Sequence, residues 1–394
     1  MPRVYLKPGH VQPVWAGHPW IYAQAVARVE GGAQPGEEVE VVDARGNLLG
    51  VGLYSPRSAI PVRLYARESG ARLDAALIAA RIRRAIERRR ALALPRDDTD
   101  AFRLLHAEGD DLPGLIVDRY ADALVVQFGT VGMKRRDGAV FDALTRELAP
   151  RAIIDRTSPR VAEREGFDAS SGVVRGALDA LEFVERGLRY RVPLELGQKT
   201  GFYLDQRPLR ARVEELARGR RVLDTFTYIG ALAMAAARGG AVEVEAVDAS
   251  APALGVAVDC AARNGLSGKI RFEPGDAHEA LARVGRRGGV ELVIVDPPKL
   301  APTRAARARA AGAMRRLARE GCRATRPGGL LVLCSCSAAV GLDELTRALA
   351  LGGRDAGTRP VVLERHFQGP DHPVPAAFPE GLYLTSLIAE VAPL

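Results

Sequence analysis

The sequence predicts an α/β protein: a doubly wound parallel sheet, preceded by a small β-barrel and a central α+β segment. Three observations carry this reading. From about residue 193 onward, continuous apolar runs alternate with helix-period segments, the pattern of strands buried on both faces and joined by crossover helices. Residues 1 to about 68 hold short alternating runs broken by Gly and Pro, which reads as a barrel. The stretch between them mixes both periods. A chain of 394 residues holds roughly two or three such cores. The expected division is 1–69, 70–185 and 186–394.

In the barrel, Glu38–Val42 and Leu48–Tyr54 flank a turn at Asp43–Asn47. Trp15, Trp20 and Tyr22 either pack its core or stack nucleobases. Residues 71–93 are rich in Ala, Leu and Arg at helical spacing. Within them RIRRAIERRR, including Arg83 and Arg84, is either a solvated helix face or an RNA-facing patch. Next come Leu112–Tyr120, a strand at Ala123–Phe128, a helix around Val140–Leu148 and a strand at Ala152–Asp155. Ser158–Gly176 is polar and Gly-rich and reads as loop. A hairpin-like pair, Leu181–Glu185 and Leu188–Val192, leads into the last domain.

There the apolar strands are Arg221–Phe226, Val242–Val247, Ile270–Glu273, Leu292–Val295 and Leu330–Cys334. Helices fit at Ala231–Arg238 and Ala251–Asn264, with an Ala/Arg-rich helix near 301–319. Ligands of such sheets sit at the carboxyl ends of the strands.

A net charge of +8 favours a polyanionic partner. Cys260, Cys322, Cys334 and Cys336 form no secreted-type framework, and the start MPRVYLKPGH has no apolar signal core. No apolar run reaches about 18 residues. A reducing cytoplasm with free thiols is expected, without a membrane. No metal is expected either, because no CxxC or paired His completes a site.

The first strand of the last domain runs into Asp224-Thr225-Phe226-Thr227-Tyr228-Ile229-Gly230. It lacks the Gly-rich and Lys-Ser/Thr signatures of a phosphate cradle. Asp248 ends the second strand, near the spacing at which an acid meets ribose hydroxyls. Gly275-Asp276 follows the third. Three acids at successive strand ends, without a phosphate loop, point to a nucleoside lacking phosphates, with S-adenosylmethionine as the leading candidate. Helix capping is the competing explanation of each acid.

The fourth strand ends in Asp296-Pro297-Pro298-Lys299. The prolines hold this turn rigid, so Asp296 can meet nitrogen 3 and the amino group of a cytosine. After a turn signal at Arg326–Gly329, the fifth strand leads to Cys336. A thiolate adding to carbon 6 of a pyrimidine makes carbon 5 able to attack an electrophilic methyl group. Cys260, Cys322 and Cys334 read as buried structural thiols.

HPWIY at 18–22, GxYSPxS at 52–58, DDLPGLIVDRY at 110–120, GQKTGFYLDQR at 197–207 and DTFTYIGA at 224–231 occur in this order. VDAS at 247–250, DPPK at 296–299, CSCS at 334–337 and DHPVPAAFPEGLYL at 371–384 complete the set. Together they resemble the bacterial large-subunit ribosomal RNA cytosine-5 methyltransferases that carry an N-terminal PUA domain. The resemblance implies a PUA-like barrel, a central domain and a class I methyltransferase domain. It implies S-adenosylmethionine as donor, 23S ribosomal RNA as partner, Cys336 as nucleophile and Asp296 as its acid. The cofactor would be met by Gln198, Thr200, Phe202, Asp224, Phe226, Tyr228, Gly230, Asp248, Asp276, Asp296 and Pro297. RNA would be met by Trp20, Arg83, Arg84 and Lys299. A homodimer stays open.

The chain departs from the family at Tyr228-Ile229-Gly230-Ala231, where Tyr-Thr-Gly-Gly is usual, and after DPPK, where it is Ala/Arg-rich. His372 reads either as a proton carrier or as a structural histidine. Methylation of another RNA base or position is an alternative, as is a non-catalytic RNA-binding protein with a nucleoside pocket.

Overall fold

A computed structural model of the chain describes residues 1–196, 201–300, 307–337 and 340–394. Contacts gather them into two compact units. The first is Met1–Val184 with Pro193–Phe202 and Pro370–Gly381; the second is Glu185–Val192, Tyr203–Gly369 and Leu382–Leu394.

The first unit opens with β1 (Arg3–Leu6), α1 (Val11–Trp15), β2 (Trp20–Ile21), β3 (Val26–Glu30), β4 (Glu38–Val42), β5 (Leu48–Tyr54) and β6 (Val62–Ala66). The strands form one sheet in the order β2-β6-β5-β4-β1-β3. The turn expected between β4 and β5 is closed by Asp43, whose Oδ1 accepts from the Arg45 and Asn47 N–H groups at 2.8 Å each. Gly52 is required where β5 meets β6, because a Cβ there would lie 2.6 Å from the Arg63 carbonyl oxygen. Val4, Leu6, Val39, Val41 and Val62 fill the barrel core.

Then follow α2 (Ala75–Ala91), β7 (Ala101–His106), β8 (Leu115–Tyr120), β9 (Ala123–Phe128), α3 (Val131–Lys134), α4 (Asp137–Leu148) and β10 (Ala152–Arg156). After them come α5 (Pro159–Glu165) and β11 (Ser171–Gly176), with the second sheet ordered β11-β10-β9-β8-β7. The α2 helix is capped by Asp74, whose Oδ1 accepts from the Leu77 N–H at 2.8 Å. It ends in Arg88–Arg90, cations where the helix dipole favours them.

The expected loop at 158–176 is instead α5 and β11. Pro159 opens α5 and left-handed Gly166 closes it. The β11 strand pairs antiparallel with β10 but stays largely exposed, so no apolar pattern announces it. One core joins Val51, Leu53 and Tyr65 of the barrel to Ile78, Ile82, Val117 and Phe128.

Pro370–Gly381 belongs to this unit, although sequence placed it with the last domain. A buried ionic network ties it in. Arg89, 1% exposed, donates to Asp110 Oδ1 and to the Asp371 carbonyl, both at 2.7 Å. The Arg103 N–H donates to Asp371 Oδ2 at 2.9 Å. His372 is buried edge-on to His106, centroids 5.1 Å apart. Burial, with Arg103 and His372 adding, holds the His106 pKa well below its ordinary value. His372 is therefore part of this packed network.

β12 (Ala180–Glu185) and β13 (Leu188–Pro193) are strands where the hairpin pattern predicts them. The second unit continues with α6 (Arg207–Leu216), β14 (Arg221–Thr225), α7 (Ala231–Arg238), β15 (Glu243–Asp248), α8 (Ala251–Arg263), β16 (Ile270–Pro274) and α9 (Ala277–Arg286). It ends with β17 (Val290–Val295), α10 (Arg307–Ala324), β18 (Thr325–Ser335), α11 (Leu342–Ala356), β19 (Thr358–Phe367) and β20 (Thr385–Pro393). The sheet order is β16-β15-β14-β17-β18-β20-β19. Its first five strands run parallel, as predicted. The β20 and β19 strands add antiparallel, which the sequence reading did not anticipate.

Arg326–Gly329 is not a turn before β18 but a bulge within it. Val290 pairs with Thr325 and Leu292 with Leu330, so the intervening residues are extruded, with Gly328 at φ +75°. Leu223, Val293, Val295, Leu331 and Leu333 pack against Met314, Leu317 and Leu345 in this unit's core. Each such side chain contributes about 2 kcal/mol by burial. Among the described residues, no helix is long and apolar enough to cross a membrane.

Candidate functional site

The parallel strands of the second unit bring the predicted acids to one sheet edge. Asp224 lies within β14 and is fully buried. Its Oδ2 accepts from Thr227 Oγ1 at 2.5 Å, and its Oδ1 is buried without a hydrogen-bond partner. The Ala233 backbone N–H favours the charged carboxyl and so opposes the rise of its pKa. Burial pushes the pKa up to about 7, with the charges of Asp296 and Asp248 adding and the Thr227 bond opposing. A buried acceptor without a donor suits a ligand that brings a cationic or amino group.

The turn after β14 is strained. Phe226 and Tyr228 adopt φ of 60° and 54°, and Gly230 φ of 76°. Left-handed backbone costs a non-glycine residue roughly 1–2 kcal/mol. The turn is held by Thr227 N–H to the Val247 carbonyl at 3.1 Å and Gly230 N–H to the Thr227 carbonyl at 2.8 Å. Asp248 braces it, with Oδ2 accepting from the Tyr228 N–H and Oδ1 from the Ser250 N–H, both at 2.8 Å. At Gly230 a Cβ would also lie 2.9 Å from the Phe272 ring. Asp276 caps α9, its Oδ1 accepting from the His278 and Glu279 N–H groups at 2.8 and 3.1 Å. The capping role left open by the sequence is thus present, and the carboxylate remains exposed at the edge.

Asp296 follows β17, and the pairing of Val295 with Leu333 sets it level with Cys334. Its Oδ2 accepts from Gln206 Nε2 at 2.8 Å. Burial pushes its pKa up to about 6, the charge of Asp205 adding and the Gln206 bond and Arg210 opposing. Cys334 is fully buried, its thiol pKa held well above the ordinary value by burial and then by Asp296. Cys336, just past β18, is half-buried. Its neighbours are pinned, Ser335 Oγ donating to the Val340 carbonyl at 2.9 Å and the Ser337 N–H to Ser335 Oγ at 3.4 Å.

Tyr203 joins the two. Its hydroxyl pKa is raised by burial and then by Asp296, Tyr228 and Cys336. Its ring meets Tyr228 edge-on, with centroids 5.6 Å apart. Asp296 and Cys336 thus both act electrostatically on Tyr203.

Pro297 is buried and Lys299 exposed. Phe202 packs inside the first unit, 6% exposed and edge-on to Phe183 at 5.1 Å. Gln198 and Thr200 lie outside the described residues. In the first unit, Trp20 donates from Nε1 to Glu108 at 2.7 Å and packs on Phe378, centroids 4.6 Å apart. Of the two aromatic tryptophans, Trp15 is the exposed one, at 80%. Arg83 pairs with Glu147 at 2.9 Å and Arg84 with Asp111, both half-exposed. Sequence reasoning did not assign Tyr203, Asp205 or Gln206, although they sit inside the quoted GQKTGFYLDQR stretch.

A doubly wound sheet of this order is that of a class I methyltransferase domain. A model of S-adenosylmethionine-dependent methyltransferases matches residues 160–379, and one of PUA-like domains matches residues 4–67. Two proteins called ribosomal RNA large subunit methyltransferase I are similar along the whole chain. That of Erwinia tasmaniensis is 35% identical, covering 99% of both chains, and that of Shewanella denitrificans is 35% identical with the same coverage.

In fold, the chain is similar to SMU.776, solved in complex with SAH (TM-score 0.87, 19% identity, 99% of this chain and 100% of that one). A methyltransferase structure from Streptococcus mutans is likewise similar (TM-score 0.86, 18% identity, with the same coverage). The chain belongs to the S-adenosylmethionine-dependent methyltransferase family and, within it, to the family of these relatives. Its PUA-like front domain and its methyl donor are as the resemblance implied.

Proposed function

We propose that this protein methylates carbon 5 of a cytosine in large-subunit (23S) ribosomal RNA through a covalent adduct on Cys336. What supports the reading is the placement of Asp296 and a half-buried Cys336 just past the ends of the paired strands β17 and β18. The names of the relatives support ribosomal RNA as substrate. The resemblance supports the cytosine.

Asp224, the Phe226–Gly230 turn, Asp248 and Asp276 would hold S-adenosylmethionine, with Asp224 Oδ1 meeting a donor of the ligand. When bound, it supplies an electrophilic methyl group. The Cys336 sulfur bonds to carbon 6 of the base, and Asp296 gives a proton to nitrogen 3 as the ring loses aromaticity. Carbon 5 becomes nucleophilic and acquires the methyl group. Loss of the carbon 5 proton to a base then re-forms the double bond to carbon 6, the carbon–sulfur bond breaks to release the thiolate, and nitrogen 3 returns its proton to Asp296. Trp20, Arg83, Arg84 and Lys299 stand as RNA-facing residues in this reading. Of these, Lys299 has the freest side chain for a phosphate.

The test is mass spectrometry of nucleosides from unmodified 23S rRNA treated with purified protein and labelled donor. Labelled 5-methylcytidine is expected at one site. A labelled uridine or guanosine product, or no product, would overturn the proposal.

A further inference from the structure

Asp296 can serve a cytosine only with the right hydrogen-bond polarity. Nitrogen 3 of cytosine accepts and its exocyclic amine donates, whereas uracil donates at nitrogen 3 and accepts at its carbonyl oxygen. A carboxyl group bearing one proton suits either base, depending on which oxygen carries that proton.

Here the choice is constrained. Gln206, 6% exposed, aims Nε2 at Asp296 Oδ2 from 2.8 Å. A donor at that position makes Oδ2 an acceptor and so favours Oδ1 as the seat of a proton, with the Cys334 thiol a second hydrogen-bonding partner of the carboxyl. Gln206 is itself fixed. Its N–H donates to the Tyr203 carbonyl at 3.3 Å, and the same carbonyl accepts from Arg210 Nη1 at 3.0 Å. Arg210 is locked by a two-pronged pair with Glu185 at 2.5 and 2.7 Å. On the other side, Asp205 accepts from the Tyr383 hydroxyl at 2.6 Å and its carbonyl from the Gly369 N–H at 2.9 Å.

We propose that Gln206 is a positioning residue that fixes the Asp296 proton on Oδ1 and so makes the site accept cytosine and refuse uracil. This rests on Asp296 being the base-contacting acid. Oδ1 then donates to nitrogen 3, while the second lone pair of Oδ2 accepts from the exocyclic amine. Uracil in the same pose sets its nitrogen 3 proton against the Oδ1 proton and its carbonyl against Oδ2 lone pairs.

The groups acting on Asp296 are Asp224 from β14, Asp205 and Arg210 from the segment around α6, Tyr203, and Cys334 from β18. Burial and then Asp205 favour the protonated carboxyl, and the Gln206 bond, Arg210 and the Cys334 thiol oppose it. Sites built on hydrogen-bond polarity reject the wrong partner by as much as about 10⁴-fold.

The test uses the full chain and two transcripts of 23S rRNA, one natural and one with uridine at the mapped target position. Gln206→Leu removes the donor, and Gln206→Glu keeps the shape but reverses its polarity. Rates of 5-methylcytidine and 5-methyluridine formation are measured as a function of pH. Wild type should make 5-methylcytidine alone.

Both variants should slow this by about 10- to 100-fold and narrow the cytosine-to-uracil preference at least about tenfold. In the Leu variant the limb of the pH profile due to Asp296 should move upward, because a bond favouring its ionised form is gone. Wild-type discrimination and an unmoved limb in the variants, with 5-methylcytidine still made, would overturn the role of Gln206 alone. A wild-type product on another base would overturn the underlying reading and this role with it. Should the Leu variant lose its melting transition, the Glu variant decides by the same discrimination ratio.

Discussion

Replacing Asp224 by Asn should stabilise the protein at neutral and alkaline pH while removing donor binding. Full burial pushes the folded carboxyl up to about 7 against an ordinary 3.8, with the charges of Asp296 and Asp248 adding. A shift of about three pH units at about 1.4 kcal/mol each is on the order of 4 kcal/mol. The folded state holds this proton more tightly than the unfolded chain does. Stability from this site is therefore greatest below the ordinary carboxylate range, falls as pH rises from there to about 7, and stays low above it.

Asparagine never ionises, and its carbonyl can still accept from Thr227. Thermal melts of the two proteins should nearly coincide near pH 4 and separate by several degrees above pH 7, with the variant higher. Titration calorimetry with the donor should find binding lost. A melting difference that does not change with pH would refute the electrostatic reasoning. Unaltered donor affinity would refute the assignment of Asp224 to the cofactor.

Asp248→Ala should weaken donor binding about 10- to 100-fold by calorimetry, since the carboxylate braces the Tyr228 N–H and, in the proposed reading, would meet the ribose. Gly230→Ala should cost roughly 1–3 kcal/mol in denaturant unfolding, because φ +76° and the Phe272 ring both resist a Cβ. Asp110→Ala should cost about 3–5 kcal/mol, read as a lower melting temperature, because it leaves buried Arg89 without its carboxylate.

Much of the fold could be read from period and punctuation. β4, β5, β9 and α7 begin and end where alternation, turn residues and Gly said they would. The misses have physical causes. β11 is an exposed edge whose pairing is tertiary, so its sequence looks like loop. The residues Arg326–Gly329 look like a turn because a bulge needs the same residues as one. Pro370–Gly381 joins the first unit through a buried network of Arg89, Asp110 and Asp371, which only three-dimensional contacts reveal.

Asp248, Asp296 and Cys336 could be placed at or just past strand ends from the sequence because strand ends are predictable. Gln206 and Tyr203 were not assigned, because their partners lie far along the chain and no local pattern encodes that. Asp276 illustrates the limit of spacing arguments, since one carboxylate caps a helix and still faces the edge.

The most direct measurement uses 23S transcript in which 5-fluorocytidine replaces cytidine. Fluorine at carbon 5 cannot leave as a proton, so an adduct formed there persists. Wild type with donor should give a denaturation-stable protein–RNA complex whose digest carries the methylated fluoropyrimidine on Cys336. Cys336→Ala should give neither the complex nor 5-methylcytidine on ordinary RNA. A bond to Cys334 instead, or full methylation by Cys336→Ala, would contradict the account.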